Sequence, residues 1–216
     1  MYKFIDNFKE NYFYRRGLRF IQKAEYNKAR YFFEKAFLLN PKDNEITFYL
    51  GLSLMLMFKY QEALNYFERI PPDYNNPLML SSMGFSTLMM RKWAEARDIF
   101  AKLVEINPKN KEYNKFYTLS MDVIKREKFV LMKEKMALAD KLMKERKYQE
   151  AFDVLNDAKN LVPDDAEIYN YLGIISIELK KDPMKTFTFF EKAVLLDPKN
   201  RGYKENLFLA KKKLKK

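Results

Sequence analysis

Small and aromatic residues recur along the chain at a nearly constant spacing. The stretches EYNKA, KYQEA, KWAEA and a second KYQEA each place an aromatic residue three positions before an alanine. These alanines are Ala29, Ala63, Ala96 and Ala151. The first two intervals are 34 and 33 residues, and the third is 55, which is one period plus 21. This pattern predicts a tandem repeat.

Other residue types follow the same period. Phenylalanine recurs four residues after each of the first three alanines, and the remaining markers are Gly17, Gly51, Gly84, Gly173, Pro41, Pro108, Pro163 and Pro198. Apolar residues between these markers fall at helical spacing, so each unit is predicted to form two helices of roughly 12–15 residues. One such pair cannot bury its apolar faces alone, and the pairs are therefore expected to stack.

These markers resemble the tetratricopeptide repeat family, whose units have a small residue in the first helix, then alanine, an aromatic residue and proline. The five matching units are 10–43, 44–76, 77–110, 132–165 and 166–200. The resemblance implies an all-α, right-handed α-solenoid of about five helical hairpins with capping helices. Two positions depart from the pattern, because Lys135 replaces an apolar residue and Thr186 replaces an alanine.

Residues 111–131 interrupt the period. Both this segment and the C-terminal segment follow Pro-Lys-Asn and carry an early tyrosine, which favours two capping helices. We therefore predict two domains, residues 1–131 with three repeats and a cap, and residues 132–216 with two repeats and a cap. Because no glycine or proline lies between 108 and 163, we expect one long or gently bent helix over 111–146. The alternative is a bend near 128–131.

The composition disfavours catalysis. The 216 residues include no cysteine and no histidine, which removes thiol nucleophiles, the usual general base and two common metal ligands. We therefore expect a protein that is not an enzyme and that uses no cofactor or metal. No signal peptide and no apolar run of about 20 residues is evident, which predicts a cytoplasmic protein without a transmembrane segment.

The net charge of +12 is concentrated in two segments. Residues 109–147 and 201–216 each carry a balance of +6, so the rest of the chain is close to neutral. Both segments coincide with the predicted caps, where lysine commonly keeps a helix face in water. RNA binding by these basic caps is the less favoured alternative function.

The family resemblance implies that the first helix of each repeat lines a concave groove. In the first three repeats the apolar groove residues are Tyr14, Leu18, Ile21, Phe48, Leu52, Met55, Phe85 and Leu88. We therefore predict a scaffold or adaptor that binds an apolar peptide or an amphipathic helix of a protein partner. A clamp that some family members use for terminal carboxylates is absent, since its positions hold Tyr14, Leu18, Tyr49, Leu78 and Ser82.

Three alternatives remain for this apolar face. Its residues could pack against neighbouring first helices, or the aromatic segment containing Tyr2, Phe4 and Phe8 could fold over it. The same face could also support self-assembly into a homo-oligomer.

Overall fold

The computed structural model describes residues 2–71 and 76–214, with side chains from residue 7 onward. These residues form twelve α-helices and no strand. The helices are α1 (Tyr2–Gln22), α2 (Tyr26–Leu39), α3 (Asn44–Leu56), α4 (Tyr60–Phe67), α5 (Pro77–Met89), α6 (Trp93–Ile106), α7 (Lys111–Met121), α8 (Val123–Lys144), α9 (Tyr148–Leu161), α10 (Ala166–Glu178), α11 (Pro183–Leu196) and α12 (Arg201–Leu214).

The helices form five hairpins in the predicted order. The pairs are α1 with α2, α3 with α4, α5 with α6, α8 with α9, and α10 with α11. A single further helix follows the third pair (α7) and the fifth pair (α12). The all-α, tetratricopeptide-like architecture inferred from the sequence is thereby confirmed.

The five hairpin corners share one backbone conformation. In each, a residue with a left-handed φ of 51° to 62° follows the first helix, and these residues are Ala24, Phe58, Arg91, Arg146 and Lys180. At the first corner the Ala24 N–H donates to the Ile21 carbonyl at 3.0 Å, and the Glu25 N–H donates to the Phe20 carbonyl at 2.9 Å. The other corners repeat both bonds, which is the Schellman pattern that satisfies the last carbonyls of a helix.

The second helices of the hairpins bury the same register positions. Alanine and phenylalanine at the fourth and eighth residues of α2 and α6 are 0% exposed, and so are Ala151 and Leu155 in α9. The phenylalanines lie against glycines of the first helices, since a Cβ on Gly17 would be 2.6 Å from Phe33 and one on Gly84 would be 3.1 Å from Phe100, so the two helices approach closely. This contact explains why the sequence markers are periodic.

The expected continuous helix over 111–146 is wrong. α7 ends at Met121 and α8 begins at Val123, with Asp122 in an extended conformation between them (φ −88°, ψ 106°). The alternative bend near 128–131 is also wrong, because α8 passes through these residues without a break. Aspartate is favoured immediately before a helix, so Asp122 was a sequence signal for a helix start at this point. The prediction of one continuous helix overlooked it because the segment contains no glycine or proline.

Packing divides the chain into two compact units, residues 1–123 and 124–216. The predicted boundary after residue 131 falls inside α8. Within the second unit, α8 is joined to α9 by an ion pair between Lys135 Nζ and Asp157 Oδ2 at 3.1 Å. It is joined to α10 by Lys133 Nζ and Glu167 Oε2 at 2.6 Å. None of the helices in the described residues is long and apolar enough to cross a bilayer.

Candidate protein-binding face of the first unit

The eight predicted groove residues lie on α1, α3 and α5, and none of them is fully exposed. Phe48 is 1% exposed, Leu88 0% and Leu52 9%, while the other five are half-buried. Phe48 and Leu88 are therefore interior residues and offer no surface to a partner. Partner binding by this set stays a prediction.

The burial follows from contacts within each hairpin, such as Phe48 with Phe67 of α4, and from packing between successive first helices. Phe48 and Leu52 of α3 share a cluster with Met79 of α5, against which Leu80 and Met83 also pack. Thus the alternative in which groove residues pack against neighbouring first helices describes a substantial part of the set.

Aromatic contacts extend this packing along the first unit. The Tyr14 and Tyr49 rings of α1 and α3 are 5.7 Å apart between centroids, in an edge-to-face arrangement. The Phe85 ring of α5 lies 5.5 Å from Phe116 of α7 in a similar arrangement. Edge-to-face geometry is favoured because the positive rim of one ring meets the negative face of the other.

One predicted residue, Tyr14, lines an open cavity of about 320 Å³. Its hydroxyl donates a hydrogen bond of 2.7 Å to Glu45 Oε1. The lining residues are mostly acids and amides rather than apolar residues: Asn7, Glu10, Asn11, Tyr14, Asn40, Asp43, Glu45 and Ile46. We call this cavity the Tyr14 pocket.

The carboxylates of the Tyr14 pocket have distinct structural roles. Asp43 Oδ1 caps α3 by accepting the N–H groups of Glu45 and Ile46 at 2.8 and 2.9 Å. Glu10 Oε1 accepts from Asn40 Nδ2 at 3.3 Å. A carboxylate has about four lone-pair sites, so these contacts leave acceptor capacity. The three acids do not form a metal site, since no group that could hold one occurs in the described residues.

The pKa of Tyr14 is raised well above its ordinary value. Burial of the ring is the main cause, followed by the hydrogen bond to Glu45 and the negative charge of that carboxylate. The phenol therefore remains protonated and acts as a hydrogen-bond donor to Glu45.

A cluster of arginine and aromatic residues on α1 was missed by the sequence reasoning. Phe8 and Tyr12 are 71% and 50% exposed, and they line a cavity of about 250 Å³ with Arg15, Arg16 and Arg19. The signal was available, because these residues recur at spacings of three and four in one helix.

The N-terminal segment does not fold back as a separate element. α1 begins at Tyr2, so the backbone of residues 2–9 continues the first helix of the first hairpin. The side chains of Tyr2 and Phe4 lie outside the described residues, and Phe8 is exposed.

Comparison with known proteins finds no matching family model and no matching curated protein. Among solved structures, the chain is similar to MamA AMB-1 at 17% identity, covering 90% of this chain and 94% of that one, with a TM-score of 0.44. It is similar to YrrB, a TPR protein with an unusual peptide-binding site, at 18% identity over 93% and 90%, with a TM-score of 0.45. It is also similar to a chain of the APC/C hetero-tetramer Cut9–Hcn1, at 13% identity over 96% and 46%, with a TM-score of 0.47.

Proposed function

We propose that this protein is a non-catalytic interaction scaffold whose first unit binds a segment of a protein partner along α1, α3 and α5. The Tyr14 pocket receives a lysine, arginine or amide side chain of that segment. Neighbouring half-buried residues of the predicted groove contact its apolar side chains.

The observation that carries this proposal is the charge of the Tyr14 pocket. The chain has a net charge of +12, yet none of the described residues that line this cavity is basic, and three of them are the acids Glu10, Asp43 and Glu45. A concave site lined by one sign of charge attracts ligands of the opposite sign. An ammonium or guanidinium group would also donate hydrogen bonds to the free acceptor sites there.

The exposed apolar surface along α1, α3 and α5 is small. Leu18, Ile21, Met55 and Phe85 are half-buried, and Leu78 at the start of α5 is 51% exposed. An amphipathic helix needs a continuous apolar groove for anchors about one turn apart. A short extended segment with a few apolar side chains needs less apolar surface, and it is the form of partner that we favour.

The proposal is tested by affinity capture from the native host with two matched variants. Glu45→Lys reverses one charge of the Tyr14 pocket, whereas Glu62→Lys makes the same change at an exposed position of α4. We expect a partner bound by wild type to be retained by Glu62→Lys and lost by Glu45→Lys. Equal capture of every partner by both variants would rule out the pocket as a binding site.

Substitution of Leu52 is unsuited to this test. Leu52 is only 9% exposed, so a glutamate in its place would bury a charge without a partner. Lost capture by such a variant would therefore report lost folding.

A further inference from the structure

The first residue of each second helix occupies a fixed place in the hairpin. In the first four hairpins this residue is aromatic: Tyr26, Tyr60, Trp93 and Tyr148. In the fifth hairpin it is Pro183. The register is secure because Thr186, Phe190 and Ala193 are buried at the same offsets as the buried residues of α2, α6 and α9.

The corner aromatic can reach the next hairpin. The Tyr60 ring lies 5.9 Å, between centroids, from Phe85 in the first helix of the following hairpin. Such a ring fills space at the corner between successive hairpins. A proline cannot replace it, because the five-membered ring of proline is folded back onto its own backbone nitrogen.

The fifth corner is also longer by one residue. Three positions separate the left-handed Lys180 from the start of α11, compared with two positions at the other corners. The additional residue is Asp182, whose Oδ1 accepts the Met184 N–H at 2.9 Å. None of the residues preceding α2, α4, α6 and α9 makes such a side-chain cap. An Asp-Pro helix start thus stands where the other corners have an aromatic residue.

A cavity of about 280 Å³ lies at this corner. Pro183, Ile177 and Ala210 supply apolar lining from α11, α10 and α12. Ile177 is 37% exposed, more than the residues at the same position of the other hairpins, where Leu88 is 0% exposed and Ile21, Met55 and Met143 are partly buried. The absent ring therefore coincides with uncovered apolar surface. We call this cavity the α11 socket.

The charged residues that line the α11 socket are all basic. Among the described residues, Lys180, Lys181 and Lys213 line it together with Thr186 and the apolar residues, and no acidic side chain does. The Lys181 ammonium also lies 4.1 Å from the centroid of the Phe152 ring of α9, a cation–π contact. An occupant must therefore combine an apolar group with negative charge.

We propose that the α11 socket binds an aromatic side chain flanked by carboxylates, carried on a peptide segment of a protein partner. The ring of this side chain takes the place left by the missing corner aromatic and covers Ile177. The flanking aspartate or glutamate side chains face the three lysines. The volume is near the lower limit of about 300 Å³ for ligand pockets, which suits a single side chain.

The test uses the full-length protein and the capped peptide Ac-Glu-Glu-Phe-Glu-Glu-amide. We expect amide chemical-shift changes confined to residues 177–186 and 208–213 in a titration followed by nuclear magnetic resonance. Replacing the phenylalanine of the peptide by alanine, or its four glutamates by lysines, should weaken binding at least tenfold. Absence of shifts at millimolar peptide, or equal binding of the alanine peptide, overturns the proposal.

Variants of the protein separate the socket from its surroundings. Pro183→Tyr supplies the missing ring from the chain itself and should abolish binding, whereas Pro183→Ala leaves the socket open and should preserve it. The double variant Lys180→Glu with Lys213→Glu alters only exposed side chains and should weaken binding at least tenfold even if Pro183→Tyr misfolds. Unchanged binding by this double variant, or by folded Pro183→Tyr, contradicts the proposal.

Glu45→Lys is the control for the other proposed site. It lies in the first unit and should have no effect on binding of the acidic peptide, so the outcome at the α11 socket is independent of the Tyr14 pocket.

Discussion

The Cβ atom that Gly51 lacks would lie 2.6 Å from Cε1 of Phe67, a distance that real Cβ contacts do not show. The same 2.6 Å separation relates Gly17 to Phe33 and Gly173 to Phe190. In the fourth hairpin the corresponding residues are Ala139 and Leu155, both 0% exposed. Alanine in the first helix is thus paired with leucine in the second, whereas glycine is paired with the larger phenylalanine. We call this relationship size matching between the two helices of a hairpin.

This relationship predicts a compensating pair of substitutions. Gly51→Ala should lower the free energy of unfolding by about 1–3 kcal/mol, because the buried ring must move to admit a methyl group. Phe67→Leu alone should also destabilise by leaving a cavity. The double variant, which reproduces the fourth hairpin, should be more stable than the sum of the two effects predicts.

Urea unfolding of the four proteins in this cycle measures the coupling. Gly202→Ala in α12 is the matched control, since its added Cβ would meet only Asn200 Oδ1 at 3.4 Å. We expect this control to be neutral or mildly stabilising, as alanine favours helices. A Gly51→Ala variant as stable as wild type would disprove the size matching.

The left-handed backbone of the hairpin corners predicts that replacing alanine by glycine at a corner stabilises the protein. Ala24 has φ 55° and is exposed, so Ala24→Gly relieves backbone strain without removing a packed group. We expect the free energy of unfolding to rise by about 0.5–1 kcal/mol. Relief of a left-handed backbone strain of about 1–2 kcal/mol is partly offset, because glycine has a larger conformational entropy in the unfolded chain. Ala94→Gly, an exposed helical position in α6, should be destabilising instead. Thermal unfolding that shows a loss for both variants would contradict this account of the corners.

The Tyr14–Glu45 hydrogen bond predicts a dependence of stability on alkaline pH. The pKa of Tyr14 is raised in the folded protein, so its proton is held more tightly there than in the unfolded chain. The resulting stabilisation is fully present below the unfolded pKa of about 10 and is lost as the pH rises through the folded pKa.

We therefore expect Tyr14→Phe to be less stable than wild type by about 1 kcal/mol at pH 8. The difference should narrow between pH 10 and pH 11 as wild type loses the contribution of Tyr14. Urea unfolding at these pH values measures both quantities. A difference that widens with pH would show that Tyr14 does not hold its proton in this way.

The hairpins could be predicted from the sequence because close helix approach requires particular residue sizes at fixed intervals. Gly51 and Phe67 are visible as markers for this reason. The break at Asp122 was harder to foresee, since it depends on one backbone conformation in a segment without glycine or proline. The absence of helix-breaking residues alone favoured a continuous helix.

The burial of some predicted groove residues could not be foreseen from the sequence. The resemblance to tetratricopeptide repeats assigns Phe48 and Leu88 to the groove, but their burial depends on how closely successive first helices stack. That stacking is a long-range property. The Tyr14 pocket is similarly non-local, because Glu10, Asn40 and Glu45 come together only when the first two hairpins pack.

The basic helices predict weak and salt-sensitive binding of single-stranded RNA. Deleting residues 211–216 removes five lysines, and each lost phosphate contact should reduce the salt slope by about 0.7. We expect wild-type RNA binding to disappear near physiological salt and the truncation to leave capture of a partner at the Tyr14 pocket unchanged. Micromolar binding that persists at such salt, measured by fluorescence anisotropy, would favour the nucleic-acid alternative.

Panning a random peptide display library on the full-length protein is the most direct measurement of the proposed function. We expect one class of enriched peptides to combine lysine or arginine with apolar residues, to bind Glu62→Lys as well as wild type, and to lose at least tenfold in affinity for Glu45→Lys. Absence of this class, or basic peptides whose affinity is the same for Glu45→Lys, would contradict binding at the Tyr14 pocket.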